Sequence, residues 1–500
     1  MCLLPESFPI NETMNRRILF SHSYFLRFDP KQWATGMPYA PLGTLYAMGL
    51  MREKGYEVTL FDTMFAEGPG DITPSLEKIE PGIVVFYDDG FNYLTKMCLT
   101  NMREAVFEMI ALAKDRGCTV IVSGSDATDR FSMYLDAGAD FVLLGEAEMT
   151  LLELVRSVEQ DNLDHLHIEG IALRHNGTVT RTARRAVIRD LDSLPLPAWD
   201  LIDITPYQKM WMKQHGYFSI NIGTTRGCPF KCNWCAKPIY GNRYNARSPQ
   251  HVVNEIEWLR SMFAFDHIWF CDDIFGLKPG WVKDFADIVT SKDLRFRFRM
   301  QGRADLLLQE NTVANLARAG CDNIWMGAES GSQKILDAMD KGTTVTQIYE
   351  AARLLKKHHI HPSFFIQFGY PGETREDISK TIGMINELLP HEIGISVSYP
   401  LPGTAFYEKV KHELDKKSNW TDSDELALMF RNTYQPAFYK QLHRYVHRCY
   451  RKHVALDNIA KLFSFRCNGH ILKKAASILY YLPASFISRQ RLSHLEKVSM

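Results

Sequence analysis

Apolar runs and helical periodicities alternate along the first third of the chain. RILFSHSY (17–24), EVTLFDT (57–63), GIVVFYDDG (82–90), TVIVSGSD (119–126) and FVLLGEAE (141–148) are short and rich in β-branched or aromatic residues, which predicts five strands. Helical spacing fills the gaps at 42–54, 97–116 and 130–137, and more weakly at 75–79. This alternation predicts an α/β fold with a doubly wound parallel sheet, whose ligands sit beyond the carboxyl ends of the strands. Small and polar residues gather at those ends: Ser123, Gly124 and Ser125 after the fourth run, Gly145, Glu146 and Glu148 after the fifth. They read equally well as helix caps and turns. No G-x-G-x-x-G follows the first run, which disfavours a dinucleotide site.

The texture changes between 161 and 207. GIALRHNGTVTRTA (170–183) has a hairpin pattern with its turn at Asn176-Gly177. DLDSLPLPAWDLI (190–202) carries proline too often for a helix, so the segment reads as a linker behind a first domain of residues 1–160. A second series of strand patterns then begins: YFSINIGTT (217–225), HIWFCDDIF (267–275), RFRFRMQGR (295–303), NIWMGAESGS (323–332), PSFFIQFGYPGET (362–374) and EIGISVSYPLPGT (392–404). Helical patterns at 249–262, 312–319, 345–358 and 378–389 separate them, the first opened by the Ser248-Pro249 cap. Six strands over residues 208–415 predict a partial (β/α)6 barrel; an eight-stranded barrel with two unrecognised strands is the alternative. Residues 416–500 read as helical. Within them Phe438, Leu442, Tyr445, Val446 and Cys449 recur at helical spacing, which predicts an amphipathic helix closing the open side of the barrel rather than a membrane or RNA surface.

Composition narrows the function. A chain of 500 residues with 46% hydrophobic content builds two or three domains. Lys+Arg and Asp+Glu balance at 58 each, so nothing global argues for nucleic acid or an anionic surface. The start, MCLLPESFPINE, lacks a basic region followed by an apolar run, and the apolar stretch at 475–487 is broken by Pro483 and too short to span a bilayer. A soluble, cytoplasmic protein is expected. Ten Cys are scattered rather than framed for disulfides, which fits a reducing compartment. Three of them cluster in GTTRGCPFKCNWC (223–235): Cys228, Cys232 and Cys235. Soft thiolates on one loop suit zinc or an iron–sulfur cluster. A structural zinc site normally closes with four ligands, and no fourth Cys or His follows at finger-like spacing. Cys118, Cys271 and Cys321 sit in or beside apolar strands and read as small buried hydrophobes.

The C-x3-C-x2-C spacing, with Trp234 before the last Cys, resembles the radical S-adenosylmethionine (radical SAM) enzymes. Strand ends of a parallel barrel share one mouth, and residues there match the motifs of that family. Asp272 and Asp273 match its acidic motif after the second strand. Arg303 ends the third strand, Glu329 and Ser330 match the fourth-strand motif, and Gln367 with Gly369 to Gly372 match the fifth. Each also has a plain structural reading, as a helix cap, an ion-pair partner or a turn. The first domain, through PYAPLGTLYAMGLMREKGYEVTLFD (38–62), VSGSDAT (122–128) and ADFVLLGEAE (139–148), resembles the cobalamin-binding domain found upstream of such barrels. The likeness is to the anaerobic magnesium-protoporphyrin cyclase-like and class B methyltransferase-like enzymes, and it places cobalamin near Pro41, Leu42, Gly43, Ser123, Gly124, Ser125, Gly145 and Glu146. One departure stands out: the loop at 22–36 lacks the D-x-H-x-x-G that supplies a cobalt-ligating histidine, and DHLH at 164–167 is mis-spaced for it.

The resemblance, which covers residues 17–453, implies a [4Fe–4S] cluster on the three Cys whose open iron binds S-adenosylmethionine. It implies one-electron reduction by a flavodoxin or ferredoxin and hydrogen abstraction by a 5′-deoxyadenosyl radical. With cobalamin, it implies methylation of an unactivated carbon of a small molecule. Cobalamin-dependent cyclisation or oxidation, a methylthiotransferase, and a non-catalytic cobalamin or redox sensor are the alternatives. No second Cys triad or basic RNA-binding tail supports the methylthiotransferase.

Overall fold

The computed structural model describes residues 17–97, 99–160, 164–414, 419–463 and 469–499. The N-terminal stretch read above for a targeting signal lies outside them, as do parts of the expected linker (161–163), the barrel's end (415–418) and the tail (464–468). The chain forms two compact units. One comprises the residues up to Phe28, Pro41–Ile188 and Leu194–Ile204; the other comprises Asp29–Ala40, Arg189–Ser193 and everything from Thr205 onward.

The first unit is built on a seven-stranded sheet. Its strands are β1 (Arg17–Ser21), β2 (Glu57–Leu60), β3 (Ile83–Tyr87), β4 (Thr119–Ser123), β5 (Phe141–Leu143), β6 (Ile171–His175) and β7 (Thr178–Arg181). The order is β2-β1-β3-β4-β5-β6-β7, with the first five parallel. All five residues of β3 are buried, as a strand covered on both faces requires. Helices α1 (Leu42–Glu53), α2 (Thr100–Lys114) and α3 (Glu148–Glu159) connect the strands. The strand order reverses between β1 and β3, the position where a doubly wound sheet opens its ligand crevice. The hairpin at 170–183 turns through Asn176 and Gly177, both at positive φ, as a type I′ turn needs. It does not bridge to the next domain: β6 pairs antiparallel with β5 and extends this sheet. β7 then ends the sheet with exposed Thr178 and Arg181 and half-buried Thr180, whose polar side chains blunt the edge.

The second unit carries six parallel strands: β8 (Ser219–Ile222), β9 (His267–Phe270), β10 (Arg297–Gly302), β11 (Cys321–Glu329), β12 (His361–Phe368) and β13 (Ile393–Val397). They lie in sequence order, β8 through β13, and the sheet does not close. This is the partial (β/α)6 barrel, and the two extra strands of the eight-stranded alternative are absent among the described residues. Alternate positions separate two faces. Phe270 and Phe298 pack against Phe285 of the helix Trp281–Ser291, while the register puts Asn221, Trp269 and Arg299 together on the opposite face.

Helices between the strands of this unit include α4 (Pro249–Met262), α5 (Trp281–Ser291), α6 (Thr312–Arg318), α7 (Val345–Lys357) and α8 (Arg375–Leu388). Ser248 caps α4 through its side chain, as expected. A capping box between Thr374 and Asp377 starts α8 three residues before its apolar periodicity begins. Helix α5 escaped sequence reading because it starts after Gly280, at φ 79°, with no side-chain cap to announce it. Beyond the barrel come α9 (Pro436–Phe463), α10 (Gly469–Ala476) and α11 (Ile478–Ser499). Phe438, Leu442, Val446 and Cys449 of α9 are buried, and Tyr450 Oη bonds the Pro390 and His391 carbonyls at 2.8 and 2.7 Å, just ahead of β13.

Candidate active site at the mouth of the half-barrel

The Cys loop leaves the carboxyl end of β8 and is anchored independently of its thiols. Asp272, fully buried after β9, accepts the backbone N–H groups of Thr224 at 2.6 Å and Thr225 at 2.9 Å, and the Thr224 hydroxyl as well. Burial pushes its pKa up to about 7, against those hydrogen bonds. Arg247, buried and paired with Glu255, donates to the Gly223 carbonyl at 2.9 Å. Gly227 has φ 80°, and a Cβ there would lie 2.4 Å from the Arg243 carbonyl, so the turn before Cys228 admits only glycine. Inside the motif, Asn233 is held from several sides. Its N–H donates to the Met339 carbonyl at 3.0 Å, and its amide nitrogen to Ala338 and Asp340 at 2.8 and 2.9 Å. Tyr370 Oη lies 2.9 Å from its amide oxygen. Asn233 and Tyr370 lie within motifs legible in the sequence, but nothing singled them out there, because their roles are set by what the fold brings beside them.

Several strand-end residues meet at this loop. Cys228 is buried, Cys232 and Cys235 half-buried. Burial pushes the Cys235 thiol up to about 12 and raises Cys228 too, and the charge of Asp273 adds to both. Arg303 is 4% exposed; its guanidinium forks onto Asp305 at 3.0 and 3.3 Å, lies 3.7 Å from the Phe230 ring centre, and points Nη1 at Cys232 Sγ, 3.8 Å away. Glu329 follows a register shift in β11 and sits at φ 57°, a strained conformation for a side-chain-bearing residue. Its carboxylate pairs with Lys341 Nζ at 2.8 Å, both side chains being almost fully buried. Burial alone would push Lys341 down, but Glu329 and then Cys232 carry it upward. Gly327 makes room for this pair, since a Cβ there would meet Lys341 Nζ at 2.6 Å. Lys341 was not foreseen; it lies beyond the strand ends and offers no periodic signal. Its ammonium stands 6.0 Å from the Trp234 ring centre, and Trp234 Nε1 is buried with no partner among the described residues.

Other sequence candidates are tied to their own neighbours. Both oxygens of Asp272 serve the Thr224–Thr225 turn. Ser330 Oγ lies 3.1 Å from Thr381 Oγ1 and accepts the Ser332 N–H, and Gln367 Nε2 donates to Ser398 Oγ at 2.9 Å. Gly369, at φ 75°, donates its N–H to Glu373 Oε2 at 2.7 Å, and Tyr439 would lie 3.1 Å from a Cβ there. Gly372 turns at φ 82° with open space around it.

Glu373 itself is fully buried, its Oε1 without a partner among the described residues, and burial pushes its pKa from the ordinary 4.5 up to about 8. Between those values the folded chain keeps a proton that the unfolded chain releases. Stability therefore falls as pH rises from about 4.5 to about 8. Glu373→Gln should flatten that part of the melting-temperature profile; an unchanged slope would assign it elsewhere.

In the first unit, the residues expected at the strand ends are all buried. Pro41 precedes α1, which Leu42 and Gly43 begin, and the Gly43 N–H donates to Asp89 Oδ1 at 3.0 Å. The Ser123 carbonyl accepts the Asp88 N–H at 2.9 Å, and Asp88 packs so close to Gly124 that a Cβ would lie 2.8 Å from its own. The Gly145 N–H donates to Thr128 Oγ1 at 3.1 Å, and Glu146 accepts the Ile188 N–H at 2.5 Å. Ser125 Oγ, like Ser21 Oγ at the end of β1, is buried with no partner among the described residues. The imidazole in the loop after β1, His22, is 2% exposed and engaged by Asp62 at 2.9 Å and Thr63 at 3.0 Å.

Comparison with known proteins adds an independent line. The radical SAM superfamily model matches residues 222–385. The chain is 27% identical over 390 residues to an uncharacterized methyltransferase of Pyrococcus horikoshii, covering 76% of this chain and 80% of that one. It is 26% identical over 328 residues to the anaerobic magnesium-protoporphyrin IX monomethyl ester cyclase of Synechocystis, covering 64% of this chain and 62% of the cyclase. In fold it resembles a radical S-adenosylmethionine methyltransferase of Kitasatospora setae, solved with cobalamin and a [4Fe-4S] cluster bound. That likeness has a TM-score of 0.66 and 19% identity, over 80% of this chain and 75% of that one. Around the Cys loop the chain thus carries a domain that matches the radical SAM superfamily, and over most of its length it is similar to methyltransferases and to magnesium-protoporphyrin cyclases.

Proposed function

We propose that the chain cleaves S-adenosylmethionine at a [4Fe–4S] cluster held by Cys228, Cys232 and Cys235 and methylates an unactivated carbon of a small molecule with the help of cobalamin. The observation that carries this reading is the three-thiol loop at the barrel mouth with Arg303, Asp273 and the Glu329–Lys341 pair around it. The donor set fits a cluster: the thiols need not meet at one point, because each takes its own iron. Among the described residues no three His, Cys, Asp or Glu side chains converge as a single zinc ion requires. When bound, the cluster supplies the electron that turns S-adenosylmethionine into methionine and a 5′-deoxyadenosyl radical, and cobalamin the methyl group to be transferred.

The protein residues orient, balance charge and exclude water. Arg303 and Lys341 set positive charge beside Cys232, which offsets the negative charge of ligating thiolates and tunes the centre's potential. Asp273 and Glu329 take the methionine amino group and the ribose or amino-acid end; Asp272 keeps the loop in register. Ser330 stands with Glu329 at the ribose or amino-acid end, and Gln367 with Gly369 to Gly372 shapes the adenine side. A flavodoxin or ferredoxin supplies the electron. In the first unit Ser21 Oγ and Ser125 Oγ, buried without partners among the described residues, fit a ligand at the strand ends, and the residues from Pro41 to Gly43, Ser123 to Ser125, and Gly145 with Glu146 would cradle the corrinoid. Radical cyclisation is the second reading, favoured by the cyclase homologue.

The reconstituted protein, reduced anaerobically, should release 5′-deoxyadenosine and move label from the S-adenosylmethionine methyl group into product. With His22 committed to Asp62 and Thr63, cobalamin reduced to cobalt(II) should show no histidine nitrogen superhyperfine splitting in its electron paramagnetic resonance spectrum. Nitrogen splitting that changes on ¹⁵N labelling of the protein's histidines would overturn the histidine-free site, and failure to bind cobalamin would remove methyl transfer.

A further inference from the structure

Helix α11 is built inside out for a soluble protein. Its inward face is small and polar: Ala484, Ser485 and Ser488 are buried, with Leu492 at its far end. That face is tied to α9, where Gln441 donates to the Ser488 carbonyl at 3.0 Å and Arg448 to the Ser488 hydroxyl at 2.6 Å. The large apolar side chains point the other way. Leu479 is 82% exposed, Leu482 56%, Phe486 62% and Ile487 47%, at the i, i+3, i+7, i+8 spacing of a single helical stripe. Exposed Tyr480 and, on α10, Leu472 adjoin it in sequence. The exposed apolar surface is on the order of a few hundred Å², the size at which such patches mark a binding face.

The charge around the stripe says what covers it. From Gly469 to Leu492 the sequence holds Lys473, Lys474, Arg489 and Arg491 and no Asp or Glu. All four are exposed. At about 100° per residue, Arg489 and Arg491 fall on opposite flanks of the stripe, where long cationic side chains can reach past an apolar surface. A second copy of α11 packed antiparallel on the stripe would bring Lys473 and Lys474 towards Arg489 and Arg491, like charge against like. An anionic lipid surface meets both features: acyl chains for the stripe, headgroups for its flanks. No described helix is long and apolar enough to cross a membrane, so α11 would lie along it.

We propose that α10 and α11 form a docking surface for an anionic membrane, with Leu479, Leu482, Phe486 and Ile487 in the acyl boundary and Lys473, Lys474, Arg489 and Arg491 among the headgroups. The full-length protein is sedimented anaerobically with vesicles of phosphatidylcholine alone or mixed with phosphatidylglycerol. It should pellet with the anionic vesicles, less so as salt rises, and stay in solution with the neutral ones. L479S/F486S should lower partitioning by about tenfold or more, since binding scales with buried apolar area, and R489E/R491E should lower it comparably. Circular dichroism and iron content should be unchanged in both. Wild-type protein that ignores anionic vesicles overturns the proposal. So does a wild-type dimer that L479S/F486S converts to monomer, because the stripe would then be a subunit interface.

Discussion

Replacing Cys228, Cys232 and Cys235 together by alanine should leave a folded protein that holds no iron and releases no 5′-deoxyadenosine. The wild-type chain, purified without oxygen, should carry about four irons and the brown colour of a [4Fe–4S] centre. The loop's anchors explain why the fold should survive. Asp272 holds Thr224 and Thr225, Arg247 holds the Gly223 carbonyl, and Asn233 is clamped by residues 338–340, none of them through a sulfur atom. The thiols themselves are poorly placed for life as free thiolates. Cys235 is pushed up to about 12 by burial, so a metal centre is what would hold it deprotonated. Iron and zinc analysis with absorbance spectra decides the matter. Stoichiometric zinc and no iron in the wild-type protein would sink the cluster assignment, and a triple variant that keeps its iron would move it to other ligands.

The architecture was readable because β3 and β4, buried on both faces, leave continuous apolar runs, while barrel strands such as β10 and β11 alternate more and less buried positions. The spacing of three Cys is likewise local, and a local signal survives in sequence. What could not be read depended on long-range closure. The hairpin of β6 and β7 was visible, but its pairing with β5 was not, because register between distant strands leaves no local trace. Helix α5 had no capping side chain, and the start of α8 was set by Thr374 and Asp377 rather than by an apolar stripe. At the mouth, sequence pointed to Asp272 and Asp273 as one acidic motif. The fold separates them: Asp272 turns into the Thr224–Thr225 backbone, while the charge of Asp273 is felt by Cys228 and Cys235. Lys341 was invisible for the same reason. Only a bulge in β11, a glycine at 327 and a left-handed Glu329 bring its ammonium to the site.

Glu329→Gln should keep the cluster and lose reductive cleavage by roughly 10²-fold or more, the usual effect of removing a preorganised charged contact in a site. The amide is the right probe. Alanine would strand the Lys341 ammonium in a nearly closed space, and breaking a buried pair from one side costs about 3–5 kcal/mol in stability, enough to confuse folding with function. Glutamine keeps an acceptor for Lys341 and removes only the charge. The double variant Glu329→Gln with Lys341→Met separates the roles further. It should restore most of any lost stability, since both charges leave together, but no cleavage, and the cycle of single and double variants measures the coupling directly. Asp273→Ala should likewise retain iron while losing 5′-deoxyadenosine, because Asp273 stands near Cys228 and Cys235 and is expected to face the methionine amino group. Binding and turnover are read together: iron content, S-adenosylmethionine affinity and 5′-deoxyadenosine per cluster. Should Glu329→Gln and Asp273→Ala both release 5′-deoxyadenosine at the wild-type rate, the Glu329–Lys341 pair is only a structural brace of β11 and the S-adenosylmethionine contacts lie elsewhere on the mouth.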